Sequence, residues 1–214
     1  MQRILFAVFR AAFASLVALF GGSCATPDTR HHVVISVPEQ RLALLDEGML
    51  VTTYPISTSK FGLGDFPGSN CTPLGELEVA KKVGDGAPSG AVFKDRRRTG
   101  EIVAPDSAGR DPIVTRILWL RGREARNARA YARTIYIHGT PEERNIGVPS
   151  SYGCIRMRSD DVIRLYEIVG AGARVSIVDA PLAAVVPNLS PASISPATQV
   201  AEVAAVPSSD AAAQ

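Results

Sequence analysis

The sequence predicts a mainly β domain with one or two short helices. Apolar residues alternate with polar ones at period two over much of the chain, turn-forming residues punctuate these runs, and only one stretch shows clear helical spacing. Val33 to Val37, Arg41 to Leu45 and Leu50 to Tyr54 read as the first strands, with Asp46-Glu47-Gly48 turning between the second and third. Leu77 and Val79 alternate with Glu76 and Glu78. Ile113 to Leu120 continues the sheet beyond a Gly/Pro-rich excursion near Gly84 to Gly90, a loop expected to border a cleft. Thr134 to His138 alternates again, with Ile135 and Ile137 on one face and Thr134, Tyr136 and His138 on the other, so a half-buried strand delivers His138 at its end.

The helix is predicted to begin after Ser159 as N-cap. Asp160 and Asp161 lie in its first turn, Val162, Leu165, Tyr166 and Val169 form its apolar stripe, and Gly170 and Gly172 end it. Ala173 to Val178 then reads as the closing strand. From Pro181 onward Ala, Pro, Ser and Val dominate without periodicity, which predicts a disordered tail over 182–214. Residues 32–181, about 150 of them, suffice for one domain with its own core.

The opening residues set the compartment. Met1 to Ser23 hold Arg3 and Arg10, no acidic residue, and an apolar run from Ala11 to Phe20 that is short for a bilayer. This is the pattern of an export signal over 1–24, and the expected location is the periplasm or cell envelope. Gly21-Gly22-Ser23-Cys24 resembles the end of a bacterial lipoprotein signal, in which Cys24 is lipidated and attaches the protein to a membrane. Cleavage after Ser23-Cys24-Ala25 by an ordinary signal peptidase is the alternative, and an uncleaved anchor ranks third. Loss of the leader removes two of the 23 basic residues and none of the 21 acidic ones. The resulting balance argues against a nucleic-acid binder. Basic clusters at Lys94 to Arg98 and at Arg121, Arg123, Arg126, Arg129 and Arg133 read first as solvated surface, and more sharply as attraction to anionic ligands or lipid head groups.

Reactive side chains are few. The chain has three cysteines and three histidines. His31, His32 and Cys24 lie at or just past the leader, so a Cys/His pair in the body has one base, His138, and two thiols, Cys71 and Cys154. A free thiol with a pKa of about 8.5 is only a few per cent thiolate at neutral pH, and a neighbouring imidazole raises its reactivity. His138 and Cys154 can meet if Thr140 to Pro149, with Pro141, Gly147 and Pro149, loops back. Gly153 permits an unusual dihedral beside Cys154, where backbone N–H groups can form an oxyanion hole. Two separated cysteines and one body histidine form no recognisable zinc spacing, and no metal or organic cofactor is expected. A Cys71–Cys154 disulfide is the competing fate of the two thiols in an oxidising compartment.

At these residues the chain resembles the L,D-transpeptidase catalytic domain, the YkuD-like family. Its signature is a His-Gly pair, a loop, and then Ser/Thr-His-Gly-Cys followed by an apolar residue and Arg or Asn. Here it reads His138-Gly139, then Ser151-Tyr152-Gly153-Cys154-Ile155-Arg156. Ser69-Asn70-Cys71-Thr72-Pro73-Leu74-Gly75 looks like the family's Thr-Pro-x-Gly turn, and Gln40-Arg41-Leu42 to Ser57-Thr58 resembles its opening hairpin. The resemblance spans His32 to Pro181 and implies a β-sandwich-type domain.

It also implies the roles. Cys154 would be the nucleophile and His138 the general base and acid, with the carbonyl of Gly139 orienting its ring. Backbone groups near Tyr152, Gly153 and Cys154 would hold the oxyanion, and Arg156, Tyr152 and Ser151 would contact substrate. Tyr152 stands where the family usually has histidine. A phenol with a pKa of about 10 cannot serve as an imidazole base, so the base is His138. The implied reaction is acyl transfer on peptidoglycan stem peptides by a monomer, expelling the terminal D-alanine of a tetrapeptide and joining two diaminopimelates. Hydrolysis, attachment or release of a protein at the stem, and a wall-binding module without turnover are the alternatives.

Overall fold

The computed structural model describes residues 26–186 and Leu189. The expected export leader, Cys24 and most of the expected tail lie outside the described residues. Ten strands form one hydrogen-bonded sheet: β1 (His31–Ser36), β2 (Arg41–Asp46), β3 (Met49–Pro55), β4 (Gly75–Val83), β5 (Ala91–Lys94), β6 (Arg97–Ile102), β7 (Ile113–Gly122), β8 (Tyr136–Gly139), β9 (Ile155–Met157) and β10 (Arg174–Val178). Among the described residues two helices accompany them, α1 (Ser159–Ile168) between β9 and β10 and α2 (Leu182–Val185) after β10. The mainly β architecture with two short helices matches the expectation.

The strand order runs β3-β2-β1-β10-β4-β7, and β7 then serves two partners. Its first residues pair with β5, which carries β6, and from Val114 to Trp119 it pairs with β8, which carries β9 in parallel. Past the end of β3, Ser57 exchanges backbone hydrogen bonds with Arg156 of β9, at 2.9 and 2.8 Å. The sheet is thereby closed on itself, and its two layers are parts of one continuous surface. The β2–β3 turn falls at Glu47 and Gly48, both with positive φ, the conformation that matches the right-handed twist of flanking strands.

The main core fills the space the closed sheet encloses. Val33 and Ile35, Leu42 and Leu44, Leu77 and Val79, Leu118 and Leu120, and Val175 and Ile177 meet Ile137, Ile155 and Met157 there. The α1 stripe, Val162, Leu165 and Tyr166, seals it, as its spacing predicts.

Three expectations are corrected. The strand ending at His138 is not half-buried: all four residues of β8 are buried, because Ile137 faces the main core while Tyr136 packs on a second cluster with Ala87, Ala91, Phe93 and Ile117. Ser159 is not the N-cap of α1 but its first residue. Its N–H is met by Glu143 Oε1 at 2.8 Å, and its hydroxyl is spent on Thr115 Oγ1 at 2.8 Å. The tail is not irregular from 182: Leu182, Val186 and Leu189 pack on Val34, Ala43 and Leu45, the outer face of β1 and β2. Residues 190–214 lie outside the described residues.

Candidate active site

Adjacent parallel strands, β8 and β9, place His138 and Cys154 on neighbouring stretches of chain. In their register Ile137 faces Ile155 and His138 faces Arg156, so Cys154, just before β9, lies at the level of Tyr136. Ile155 and Met157 turn into the main core, and Cys154 turns to the opposite side, against the second cluster beside Tyr136. The excursion near Gly84 to Gly90 contributes Ala87 to the cluster against which Cys154 packs.

Several features shape the end of β8. Strand β7 is bulged between Val114 and Ile117, and Thr115 within the bulge has φ +71°, a strained conformation for a β-branched residue. Its hydroxyl bonds to Gly90 N at 3.0 Å and to Ser159 Oγ, which over-determines the position. Gly139 must be small here, since a Cβ would lie 2.8 Å from Val114 O and 3.1 Å from Thr115 Cβ.

His138 is buried, and its Nδ1 lies 2.7 Å from Gly139 O. A carbonyl only accepts, so Nδ1 carries the proton and Nε2 keeps its lone pair. Burial drives the imidazole pKa down to about 4; the Gly139 bond opposes this and the Arg156 charge adds to it. The Cys154 thiol donates to Thr134 O and accepts from Tyr136 N–H, both at 3.4 Å. Burial pushes its pKa up to about 11 against that N–H and the charges of Arg156 and Arg133. At neutral pH the resting pair is therefore thiol and neutral imidazole. Among the described residues the two are not hydrogen-bonded to each other.

The turn before Cys154 is held from three sides. Gly153 has φ +115°, and a Cβ there would approach Cys71 O to 3.1 Å and Ile135 Cδ1 to 3.3 Å. Ser151 is fully buried, its hydroxyl donating to Cys154 O at 2.6 Å and accepting from Gly153 N at 3.2 Å. Thr72 Oγ1 donates to Gly153 O at 3.1 Å and accepts from Ser59 N at 3.0 Å.

These contacts revise three sequence-based roles. Ser151 braces the turn from inside and faces no substrate. Gly153 N–H is occupied, so the N–H groups left without a partner among the described residues are those of Tyr152 and Cys154. Arg156, expected to clamp a substrate carboxylate, is buried and divides its fork between Asp111 and Glu142. Tyr152 is exposed, as a substrate contact requires.

Sequence reasoning did not single out Asp111, Glu142, Asp65 or Thr72, and placed Arg133 on the surface. Arg133 is nearly buried, with its fork on Asp65, Gly64 O, Ser69 O and Cys71 O at 2.6 to 3.1 Å. Thr72 had a signal, the Thr-Pro-x-Gly turn. The ion pairs had none, because their members lie far apart in the chain. Cys71 is a free, buried thiol donating to Phe61 O at 3.2 Å, and Cys154 is also free. His31 and His32 are engaged elsewhere, with Asp28 at 2.9 Å and Ser176 at 2.7 Å.

Comparison with known proteins bears on this arrangement. A family model described as the L,D-transpeptidase catalytic domain matches residues 30–177. Probable L,D-transpeptidase YcfS of Escherichia coli (strain K12) is 32% identical over 161 residues, covering 73% of this chain and 47% of that protein. Probable L,D-transpeptidase YbiS of the same strain is 33% identical over 162 residues, covering 74% and 48%. The chain spans about half the length of these relatives. A solved L,D-transpeptidase from Mycobacterium smegmatis superposes with a TM-score of 0.46 at 19% identity, over 70% of this chain and 58% of that one.

Proposed function

We propose that this chain, which belongs to the L,D-transpeptidase catalytic-domain family, is a peptidoglycan L,D-transpeptidase with Cys154 as nucleophile and His138 as base. The observation that carries the reading is the Nδ1–H bond to Gly139 O. It leaves Nε2 as a proton acceptor on the strand beside the one that Cys154 begins. The leader read in Met1 to Cys24 would deliver the domain to the cell envelope, with Cys24 as its lipid attachment.

In the first half-reaction Cys154 Sγ bonds to the carbonyl carbon at the L-centre of diaminopimelate in a tetrapeptide stem, and the thiol proton passes to His138 Nε2. Because thiol and imidazole both rest neutral, proton transfer accompanies attack rather than preceding it. The unpaired N–H groups of Tyr152 and Cys154 are the donors for the oxyanion. The C–N bond to D-alanine then breaks, and His138 returns the proton to the leaving amine. In the second half-reaction the amine of another stem attacks the thioester and gives its proton to His138. The C–S bond breaks, the sulfur is reprotonated and the stems are joined. The two stems are the only reactants this balance requires.

The experiment is mass spectrometry of products after the mature chain, parent and Cys154→Ala, is incubated with disaccharide tetrapeptides. A cross-linked dimer is expected from the parent, and its rate of formation should fall at least ~10³-fold in the variant. Tripeptide as the sole product would assign a carboxypeptidase instead, with water as acceptor. No product from a parent chain whose Cys154 is free and reduced would overturn the reading.

A further inference from the structure

Beside the nucleophile turn stands a cation that the mechanism does not use. Lys60 follows Ser59, which forms a bridge with Ser151, and Lys60 N donates to Ser151 O at 3.2 Å. Its backbone is thus tied to the turn that carries Cys154. Its ammonium lies 3.1 Å from Tyr152 Oη, 4.4 Å from the centroid of that ring and 5.3 Å from the centroid of Phe61. The two rings stand 5.3 Å apart at 48°. Tyr152 and Phe61 are 58% and 50% exposed.

We propose that Lys60, Tyr152 and Phe61 form a carboxylate-binding edge that engages the stem peptide; the inference rests on the function proposed above. The two other cations nearest this turn, Arg133 and Arg156, each hold a protein carboxylate. Lys60 has none within ion-pairing distance among the described residues. An ammonium has three N–H donors, and Tyr152 takes one at most. The ammonium nitrogen also lies near the Tyr152 and Phe61 rings, which hold the charge in place and leave donors for a ligand, setting this lysine apart from a side chain free to swing in water. Tyr152 Oη can donate beside it, so a carboxylate docked here receives charge-assisted hydrogen bonds from two groups.

Reach is adequate. Tyr152 is two residues before Cys154, and a peptide advances about 3.3–3.6 Å per residue when extended. A carboxylate one or two residues from the reacting carbonyl of a stem at Cys154 is therefore separated from it by a span comparable to the two residues between Cys154 and Tyr152. In the proposed donor these are the carboxylate of the terminal D-alanine, that of the D-centre of diaminopimelate, and the free α-carboxylate of the γ-linked glutamate before it. Tyr152 stands where the resembled family usually has histidine, and Lys60 supplies the positive charge a phenol lacks.

The test reads binding without turnover, by calorimetry on the full chain in a Cys154→Ala background, with Lys60 retained or changed to Met. The probes are the disaccharide tetrapeptide and three derivatives, amidated in turn at the D-alanine terminus, at the diaminopimelate carboxylate and at the glutamate α-carboxylate. Lys60→Met is expected to weaken the unmodified stem about three- to ten-fold, with the gap narrowing in added salt. One amidated derivative should already bind about that weakly and be indifferent to Lys60→Met, which identifies the carboxylate read. Equal binding with and without Lys60, or an equal loss for all four probes, would overturn the proposal. So would failure of the Lys60-bearing chain to bind any probe. Lys60-dependent binding by a chain whose Cys154 form yields no product would instead retire the proposed reaction and leave the edge standing.

Discussion

Arg133 and His138 lie five residues apart and are both nearly withdrawn from solvent, yet their surroundings treat charge in opposite ways. The side chains of Arg133 and its partner Asp65 are 11% and 3% exposed and remain an ion pair. That guanidinium also meets three backbone carbonyls, and Asp65 accepts Arg129 N at 2.6 Å. His138 has one carbonyl partner and no carboxylate, and burial holds it neutral with a pKa of about 4. Cys154, with two contacts at 3.4 Å, is likewise held neutral. Burial alone does not decide protonation; the number and charge of the partners do. The chain places fully complemented ion pairs around the turn before Cys154, and leaves His138 and Cys154, the proposed base and nucleophile, poorly complemented.

The sharpest way to break this comparison is to remove the complement. Asp65→Ala leaves Arg133 buried without its carboxylate and strips Arg129 N of its acceptor. Loss of one partner from a buried pair costs about 3–5 kcal/mol, and urea unfolding of the variant should show a destabilisation of that order. A cost below about 1 kcal/mol would mean that solvent already screens the pair and that rigidity comes from the carbonyl contacts alone.

What the sequence revealed divides along the same line. The alternation of Ile135 and Ile137 exposes β8, the His-Gly and Gly-Cys pairs expose the reactive residues, and the spacing from Val162 to Val169 exposes α1. Each is a local pattern within a few residues. Asp65 and Arg133, or Asp111 and Arg156, are brought together by sheet closure, and nothing in the charge of a single residue says which opposite charge it will meet. Arg133 therefore read as surface and Arg156 as a substrate clamp. Ser159 misled for a related reason: its local capping signal is real, but Thr115, 44 residues away, claims its hydroxyl. The residues after Pro181 lack periodicity, and α2 is ordered by the apolar face of β1 and β2 rather than by its own sequence.

The neutral side of the comparison is tested by pH. With a folded pKa of about 4 against 6.5 for the free group, His138 takes up its proton later in the folded chain than in the unfolded one as pH falls. Its contribution is thus complete above about pH 6.5 and is lost toward pH 4, by about 3 kcal/mol. His138→Gln, which cannot titrate, should flatten the pH dependence of the urea midpoint by that amount between about pH 7 and pH 4. The flattening is read as the change in slope within each protein, so the fixed cost of the substitution drops out. Parallel slopes in parent and variant would mean that the imidazole is hydrated and titrates normally.

The smallest expected effect comes from the outer half of the second ion pair. Arg156 meets Asp111, whose side chain is 16% exposed, and at 3.4 Å Glu142, whose side chain is 33% exposed. Glu142 also accepts Asn145 Nδ2 at 3.1 Å, a bond that glutamine's carbonyl oxygen preserves. Glu142→Gln removes one charge and leaves Arg156 its inner carboxylate, so stability should change by no more than about 1 kcal/mol, and less in high salt. Asp111→Asn, by contrast, should cost more, because Arg156 would keep only the longer, wetter contact. If the two variants cost the same, depth does not rank these carboxylates, and Arg156 is better described as a cation shared evenly between two loops.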